Sequence, residues 1–400
     1  MGNKSGSFFK EKVLLGKSWG EYISGLLTPW NLVAGIIIIF GLYAIIYRLL
    51  FGLGPATNLS DEYPWGIWIA FDILVGIALA APGLAVATSI HLFGFKDYHS
   101  FARPAVLSSL VGYVFAVTAL LFDLGRYYRV YYPIIWSWGL TSVLFLIGWH
   151  FFLYIIISIV EWLPAFFEWT GLRKAQEIFS KLAIWATALG VIIAGGHQSA
   201  LGALFLIVPE KLHPLWYSPL LPLFFLVSAL FGGVAIVTIE SSISHRAFKE
   251  YIPHEEHEVF PQKLLGLAKA MYILLILYLL LKILDLIHYH KVVYLLSPYG
   301  YWYLVETIGF VVLPILILAN VIRYKWSKLV PFIGVWVALG VILNRFNVCL
   351  IAYKWYIPLS QKYYPSWMEV ALSLCMVVFI VITTRFMLRR LPILPRKKEA

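Results

Sequence analysis

Asp72, Asp123, Arg126, His197, Gln198, Asn344, Arg345 and Glu369 fall near the ends of long apolar runs or in the loops beside them, and they come from at least five different segments. An ionisable side chain inside a membrane-spanning segment is costly and usually marks function. Acids, an imidazole, amides and a guanidinium, with aromatic residues such as Trp65 beside them, suit a ligand with two carbonyl oxygens and protons to exchange. A quinone needs that set: an apolar channel for its tail, hydrogen-bond partners for its oxygens, and proton donors or acceptors nearby. Taken singly, Glu369 and Arg126 read more simply as interfacial or capping residues. Asp72, about two turns inside its run, reads as functional. Gly195 and Gly196 precede His197 and suggest a helix break there, freeing backbone groups to line a cavity.

A second set lies on one face of a single run. His150, Tyr154, Ser158 and Glu161 recur at helical spacing, with His150 and Glu161 about three turns apart and nearly eclipsed. Glu240, followed by Ser241 and Ser242, ends another run on the same side as Glu161. One reading is a proton path through the membrane; the other is a set of polar residues packed and hydrogen-bonded between helices. Other chemistries lack their motifs. There is no P-loop, no GxGxxG fingerprint and no HExxH zinc motif. Cys349 and Cys375 are too few and too far apart for an iron–sulfur cluster, and no CxxCH occurs. No metal site is expected. His150 reads as the only histidine deep in the membrane, which argues against a bis-histidine haem.

The elements that position these residues follow from composition. The chain is 61% hydrophobic and 13% charged, with a mean hydropathy of +0.84. A soluble domain carries about 25% charge and about 45–50% apolar residues. The class is therefore an all-α polytopic membrane bundle, because the runs are too long and too uniformly apolar for barrel strands. Ten runs suffice to span: 30–51, 66–93, 104–124, 141–163, 179–195, 219–241, 263–287, 302–322, 329–343 and 367–388, the fifth and ninth being short. Twenty lysines and arginines lie on the side of the N-terminus against seven on the other, so both termini are expected in the cytoplasm. Trp65, Trp68, Trp136, Trp138, Trp216, Trp302 and Trp367 would belt the opposite face. The net charge of +11 is explained by this bias rather than by nucleic acid, which is not an expected partner. Residues 1–29 read as a cytoplasmic segment with a short interfacial helix near Trp19–Leu27 and no cleavable signal. Residues 30–390 form the spanning domain, and 391–400 a basic cytoplasmic tail.

The stretch Tyr63-Pro64-Trp65-Gly66-Ile67-Trp68-Ile69-Ala70-Phe71-Asp72 resembles the second-helix signature of the NrfD/polysulfide-reductase membrane subunits, most of all their HybB branch. The similarity continues through Arg103-Pro104-Ala105-Val106-Leu107, Gly112-Tyr113, Asp123-Leu124-Gly125-Arg126, His197-Gln198-Ser199-Ala200-Leu201-Gly202 and His213-Pro214-Leu215-Trp216. It then takes in the Glu240 segment, Asn344-Arg345, Tyr364-Pro365-Ser366-Trp367 and Leu391-Pro392-Ile393-Leu394-Pro395. The resemblance implies a ten-helix subunit of the bacterial inner membrane with no haem and no iron–sulfur cluster of its own. It implies menaquinone or ubiquinone bound near the periplasmic face, and the polar residues singled out above, Asp72, His197, Gln198, Asp123, Arg126, Asn344 and Arg345, with Trp65, are then the expected quinone site. The implied partners are a ferredoxin-like iron–sulfur subunit, docked on loops near Trp65, Arg126 and Trp216, and a catalytic subunit of nickel–iron hydrogenase or molybdenum oxidoreductase type. One position departs: the HybB branch carries a glutamate after Ser-Val-Leu-Phe, whereas Ser142-Val143-Leu144-Phe145 is followed here by Leu146, with His150 one turn further on. A proton or ion transporter and a passive membrane anchor are the rival readings.

Overall fold

The structure, a computed structural model, describes residues 8–394. Lys4, Arg396, Lys397 and Lys398, and with them most of the expected basic tail, lie outside the described residues. Among the described residues, ten helices are long and apolar enough to span a membrane: α1 (Pro29–Phe51), α2 (Trp68–Ile90), α3 (His99–Asp123), α4 (Val143–Thr170), α5 (Arg173–Ile207), α6 (Leu221–Ala247), α7 (His254–His288), α8 (Pro298–Arg323), α9 (Ser327–Ile351) and α10 (Trp367–Arg390). Among the described residues the only β pairing is an isolated bridge between Leu212 and Tyr353. The N-terminal segment meets the end of α10, where Arg390 donates to the Val13 carbonyl at 2.9 Å and to the Tyr22 hydroxyl at 2.8 Å, and that end of the bundle is called here the terminal side.

Local chemistry sets the helix ends. Thr28 accepts from the Asn31 amide ahead of α1, with Pro29 at the first helical position. Ser142 caps α4 in the same way, and Gly171 closes it in the left-handed conformation. Ser366 and Glu369 form a capping box at α10. The N-terminal helix Trp19–Ser24 has a capping box too, from Ser18 and Glu21.

The helices pack as two groups of four. α2, α3, α4 and α5 form one ring, and α6, α7, α8 and α9 the other. α6 packs against α2 and α5 to join them, while α1 lies against α10, which leans on α3. α2 and α6 are therefore the central pillars and mostly buried, whereas the outer faces of α1, α4 and α5 are exposed and apolar, as lipid requires.

Two expected runs are longer than hydropathy indicates. The fifth continues through His197 and Gln198, and the ninth through Asn344 and Arg345. These polar side chains face the interior rather than lipid, so the helix carries on where lipid solubility alone would stop it. Trp68 and Trp216 are not belt residues: both are buried, and their indole N–H groups donate to the Glu369 carbonyl at 3.1 Å and to Glu306 Oε2 at 2.8 Å. Trp136, Trp138 and Trp367 are exposed as expected.

Candidate functional site: a broken helix in the first four-helix ring

The expected break at Gly195-Gly196 does not occur, since α5 is continuous from Arg173 to Ala203. Those glycines provide close approach instead: a Cβ on Gly196 would lie 3.5 Å from His150 Nε2. The break is in α2, where Ala80 and Ala81 leave the helical conformation just before Pro82, near mid-membrane. Proline cannot donate to the preceding turn and crowds it. Two glycines on neighbouring helices accommodate the bend. A Cβ on Gly233 of α6 would sit 2.5 Å from the Ala81 carbonyl oxygen, and one on Gly112 of α3 would sit 2.6 Å from Ala80 Cβ.

Side chains then complete the backbone on both flanks of the break. Gln198 Nε2 donates to the Ile77 carbonyl at 3.0 Å, and the Gly83 amide donates to Ser109 Oγ at 2.8 Å. In hydrocarbon every such group must find a partner inside the protein. Around these two contacts lies a tight group of rings. His197 is fully buried, 4.2 Å from the Phe151 ring, 5.5 Å from Tyr113 and 6.3 Å from His150, between centroids. Tyr113 and Tyr154 are 4.3 Å apart. Ser109 Oγ and the Tyr154 hydroxyl converge on Gly83, since a Cβ there would lie 2.8 Å and 3.3 Å from them.

Among the described residues, eleven buried side-chain polar atoms have no hydrogen-bond partner within the chain. Six belong to this one group: the Tyr113 hydroxyl, His150 Nδ1, Ser158 Oγ, both His197 ring nitrogens and Gln198 Oε1. Tyr113 and Gln198 face each other, as do Ser158 and Tyr154, without well-aligned hydrogen bonds, while the His197 nitrogens and His150 Nδ1 have no polar partner. Buried polar groups are nearly always paired, so a local concentration of unpaired ones calls for water or a ligand. The unpaired atoms are two hydroxyls, three imidazole nitrogens and one amide oxygen, a set with both donor and acceptor capacity.

The other expected site residues lie elsewhere. Asp72 accepts from Ser373 Oγ of α10 at 2.6 Å, on the side of α2 away from Gln198. Asp123 Oδ1 is unpaired, within electrostatic reach of Asp72, Glu369 and Arg48. Glu369 accepts from the Asn58 amide at 3.0 Å, from the Ser366 amide at 2.8 Å and from the Tyr363 hydroxyl. Burial pushes that phenol, which lies in a loop outside the spans, well above the ordinary tyrosine range. Arg126 is exposed at the surface. The buried guanidinium beside Asp123 is Arg48, which donates to the Phe122 and Leu124 carbonyls at 2.8 and 2.6 Å and so closes the end of α3. Trp65 packs on Phe205 and Tyr353 at 5.7 and 6.0 Å.

Asn344 and Arg345 join the second ring. Glu306 of α8 accepts there from Lys282 Nζ at 2.7 Å, Trp216 at 2.8 Å, Asn344 at 2.9 Å and Asn347 at 2.5 Å. Arg345 donates to Asn344 Oδ1 and Ser228 Oγ, both at 2.8 Å. Lys291 and Ser218 both meet Asp285 at 2.5 Å beside this network.

The path residues divide as well. Glu161 lies against Gly190 of α5, whose Cβ would be 3.9 Å from both carboxylate oxygens. Glu240 accepts from Ser108 Oγ at 2.5 Å, one residue from Ser109 and hence from Tyr154. Tyr113, Ser108 and Ser109 were the residues missed. The visible signal was a serine pair and a tyrosine in an apolar run, on the helix opposite the His150 stripe. Glu306, Lys282 and Arg48 were also passed over, although charges inside spanning runs are conspicuous.

A ten-span bundle with a broken central helix and a cluster of unpaired donors inside the membrane is a polytopic protein built around an intramembrane polar site. The chain belongs to the NrfD family (polysulphide reductase, NrfD), which it matches over residues 55–357. It is 42% identical over 378 residues to a protein of Nitratidesulfovibrio vulgaris, covering 94% of this chain and 97% of that one. It is 30% identical over 373 residues to the probable Ni/Fe-hydrogenase 2 b-type cytochrome subunit of Escherichia coli, covering 92% and 93%. It is 22% identical over 393 residues to the integral membrane subunit of menaquinone reductase of Nitratidesulfovibrio vulgaris, covering 90% of each.

Proposed function

We propose that this chain is the quinone-binding membrane subunit of a respiratory oxidoreductase complex, with the quinone head group held at the broken-helix cluster of His150, His197, Gln198 and Tyr113. The observation that carries this reading is the concentration of unpaired buried polar atoms on those four side chains. The names of the hydrogenase and menaquinone reductase relatives agree with it. A bound menaquinone or ubiquinone would supply the two-electron chemistry. The chain's own residues would do the rest: the Tyr113 hydroxyl and a His197 N–H donate to carbonyl oxygens, and Gln198, held by the Ile77 carbonyl, keeps α5 in register with the break. A long tail would approach from the lipid side, along the exposed apolar faces of α4 and α5.

During quinone reduction protons would pass from Glu240 by Ser108 and Ser109 to Tyr154 and Tyr113, with Ser158 and Glu161 as a parallel branch. Bridging waters would be required where groups stand more than one hydrogen bond apart. Asp72 and Asp123 sit on the other flank of α2 and would serve proton exchange toward the far side.

In this reading both termini are cytoplasmic, the membrane is the bacterial inner membrane, and the helix Trp19–Ser24 rests in the cytoplasmic interface ahead of the spanning domain. An iron–sulfur subunit would dock on the far side, on exposed surface near Arg126, Trp136 and Trp138, and would link this chain to a hydrogenase or molybdenum catalytic subunit. Trp216, being buried, is not part of that surface.

Haem is not part of this reading, although the printed name of the Escherichia coli relative includes a b-type cytochrome. His197 stands at His150's depth, with ring centroids 6.3 Å apart, which corrects the expectation of one deep histidine, and the reading assigns both rings to the quinone. Purified protein should therefore show no b-type absorption bands, and a stoichiometric b-type spectrum would contradict that part of the reading. The main test is His197→Ala in the assembled complex. Quinone-linked turnover should fall by about 100-fold or more, while viologen-linked activity of the catalytic subunit and complex assembly persist. Unchanged quinone turnover would overturn the assignment.

A further inference from the structure

At the terminal end, α3, α6 and α7 enclose a small cavity of about 40 Å³, lined by Ser100, Phe101 and Pro104 of α3, Ser241, Ser244 and His245 of α6, and Glu256 and Phe260 of α7. That is room for about three waters. Its wall reaches within one helical turn of the Ser108–Glu240 contact, since Pro104 precedes Ser108 by four residues and Ser241 follows Glu240 directly.

His245, on the cavity wall, pairs with His257 next to it, His257 Nδ1 lying 2.8 Å from His245 Nε2. The tautomers follow from one further contact. His257 Nε2 lies 3.0 Å from the Lys249 carbonyl, which can only accept, so Nε2 carries the proton. In the neutral ring Nδ1 is then bare and accepts from His245 Nε2–H. His245 Nδ1 is thereby left as the basic lone pair of the dyad. A proton taken up there makes an imidazolium whose Nε2–H already points at an acceptor, a charge-assisted hydrogen bond formed without rearrangement. The His245 ring also stacks on Phe260, with centroids 3.8 Å apart.

The charged groups facing the pair are few. From α7 come Glu256 and Lys263, paired at 2.8 Å, with Lys263 also donating to Ser100 of α3 at 2.9 Å. From the α6–α7 turn comes Lys249. Because Lys263 compensates Glu256, the surroundings of the pair hold no excess of anions that would trap a proton on His245.

We propose that the His245–His257 dyad and its cavity are the proton inlet of this chain, with His245 taking a proton from the aqueous phase and passing it through cavity water to the Glu240 carboxylate. His257 is a positioning residue: it fixes the tautomer and shares the charge. The step is a transfer of H⁺ from water to His245 Nδ1, then from Nδ1 to water, then to a Glu240 oxygen, with no electron moved. The inference rests on the proposed path through Glu240, and the test separates the two.

The complex would be reconstituted in vesicles with the terminal side outward and driven with reduced benzyl viologen and a short-chain naphthoquinone. Proton uptake from the medium per quinone reduced would be followed against pH for H245Q, H257Q and E240Q. E240Q should abolish coupled uptake at every pH. H245Q should slow it several-fold, most strongly above about pH 7, where proton capture limits the rate. H257Q should have a smaller effect of the same pH form, and the KM for the quinone should be unchanged in both. Imidazole added to H245A should restore uptake, which a folding defect would not allow. Impaired E240Q with wild-type behaviour in both histidine variants would overturn the inlet and leave the path standing. Wild-type behaviour in all three would overturn the path and the inlet together.

Discussion

The two four-helix rings handle buried polarity in opposite ways. In the α6–α9 ring, Glu306 takes four donors and neutralises Lys282, the amides of Asn344 and Asn347 are both used, and among the described residues only Arg345 Nε is left unpaired. In the α2–α5 ring, both nitrogens of His197, a tyrosine hydroxyl, a serine hydroxyl and an amide oxygen are left without partners in the chain. Buried polar residues are thus paired in one ring and largely unpaired in the other. A satisfied network fixes how helices meet. An unsatisfied one leaves donors and acceptors unused within the chain, and here it surrounds the broken segment of α2. The ring of paired charges reads as the frame and the ring of unpaired donors as the working site.

The largest test of that contrast is in the frame. Glu306→Leu would strand Lys282 in the membrane interior and should destabilise the fold by about 3–5 kcal/mol, seen as a sharp fall in detergent-extracted monodisperse protein. The Lys282→Met/Glu306→Leu double variant should recover most of the loss, and quinone turnover per folded molecule should then stay near wild type. If the double variant folds but has lost turnover, the second ring is not merely a frame.

A smaller effect is expected at the break. Gly233→Ala would press a methyl group onto the Ala81 carbonyl, costing about 1–3 kcal/mol if the backbone must shift. Because the strain falls on the working site, turnover should drop more than thermal stability does. Equal losses would remove the distinction between the two rings at this point.

The smallest concerns His213, which roofs the second ring between Tyr299 and Trp355. Burial pushes its imidazole down to about 4, and Nδ1 accepts from the Leu215 amide at 3.2 Å. The unfolded chain binds a proton near pH 6.5 while the native ring stays neutral, so its stabilising contribution is complete above that pH and declines as pH falls toward 4. The melting midpoint should drop modestly from pH 7 to pH 5, and His213→Gln should flatten part of that slope.

The all-α class, the ten spans and the family signature were legible because lipid leaves so few alternatives. Helix ends and helix breaks were not. His197-Gln198 and Asn344-Arg345 ended the expected runs because hydropathy cannot tell a polar residue facing a protein interior from one leaving the membrane. The break was assigned to Gly195-Gly196 on local flexibility, yet these glycines make room for His150. The break at Ala80–Ala81 depends on Pro82 together with Gly112 and Gly233, which are brought to it only by the fold. Pooling Asp72, Asn344 and Arg345 with His197 was a judgement of depth alone. Depth is shared around a whole bundle, and it does not say which helix face a residue occupies.

The central claim, that the quinone head group binds at the broken-helix cluster of the first ring, is tested most directly by photolabelling the assembled complex with an azido-naphthoquinone and mapping the modified peptides. The account predicts label on α4 and α5 around His150 and His197, on α3 around Tyr113, and competition by unmodified quinone. Competed label confined to α6–α9, or to the terminal ends of the helices, would contradict it.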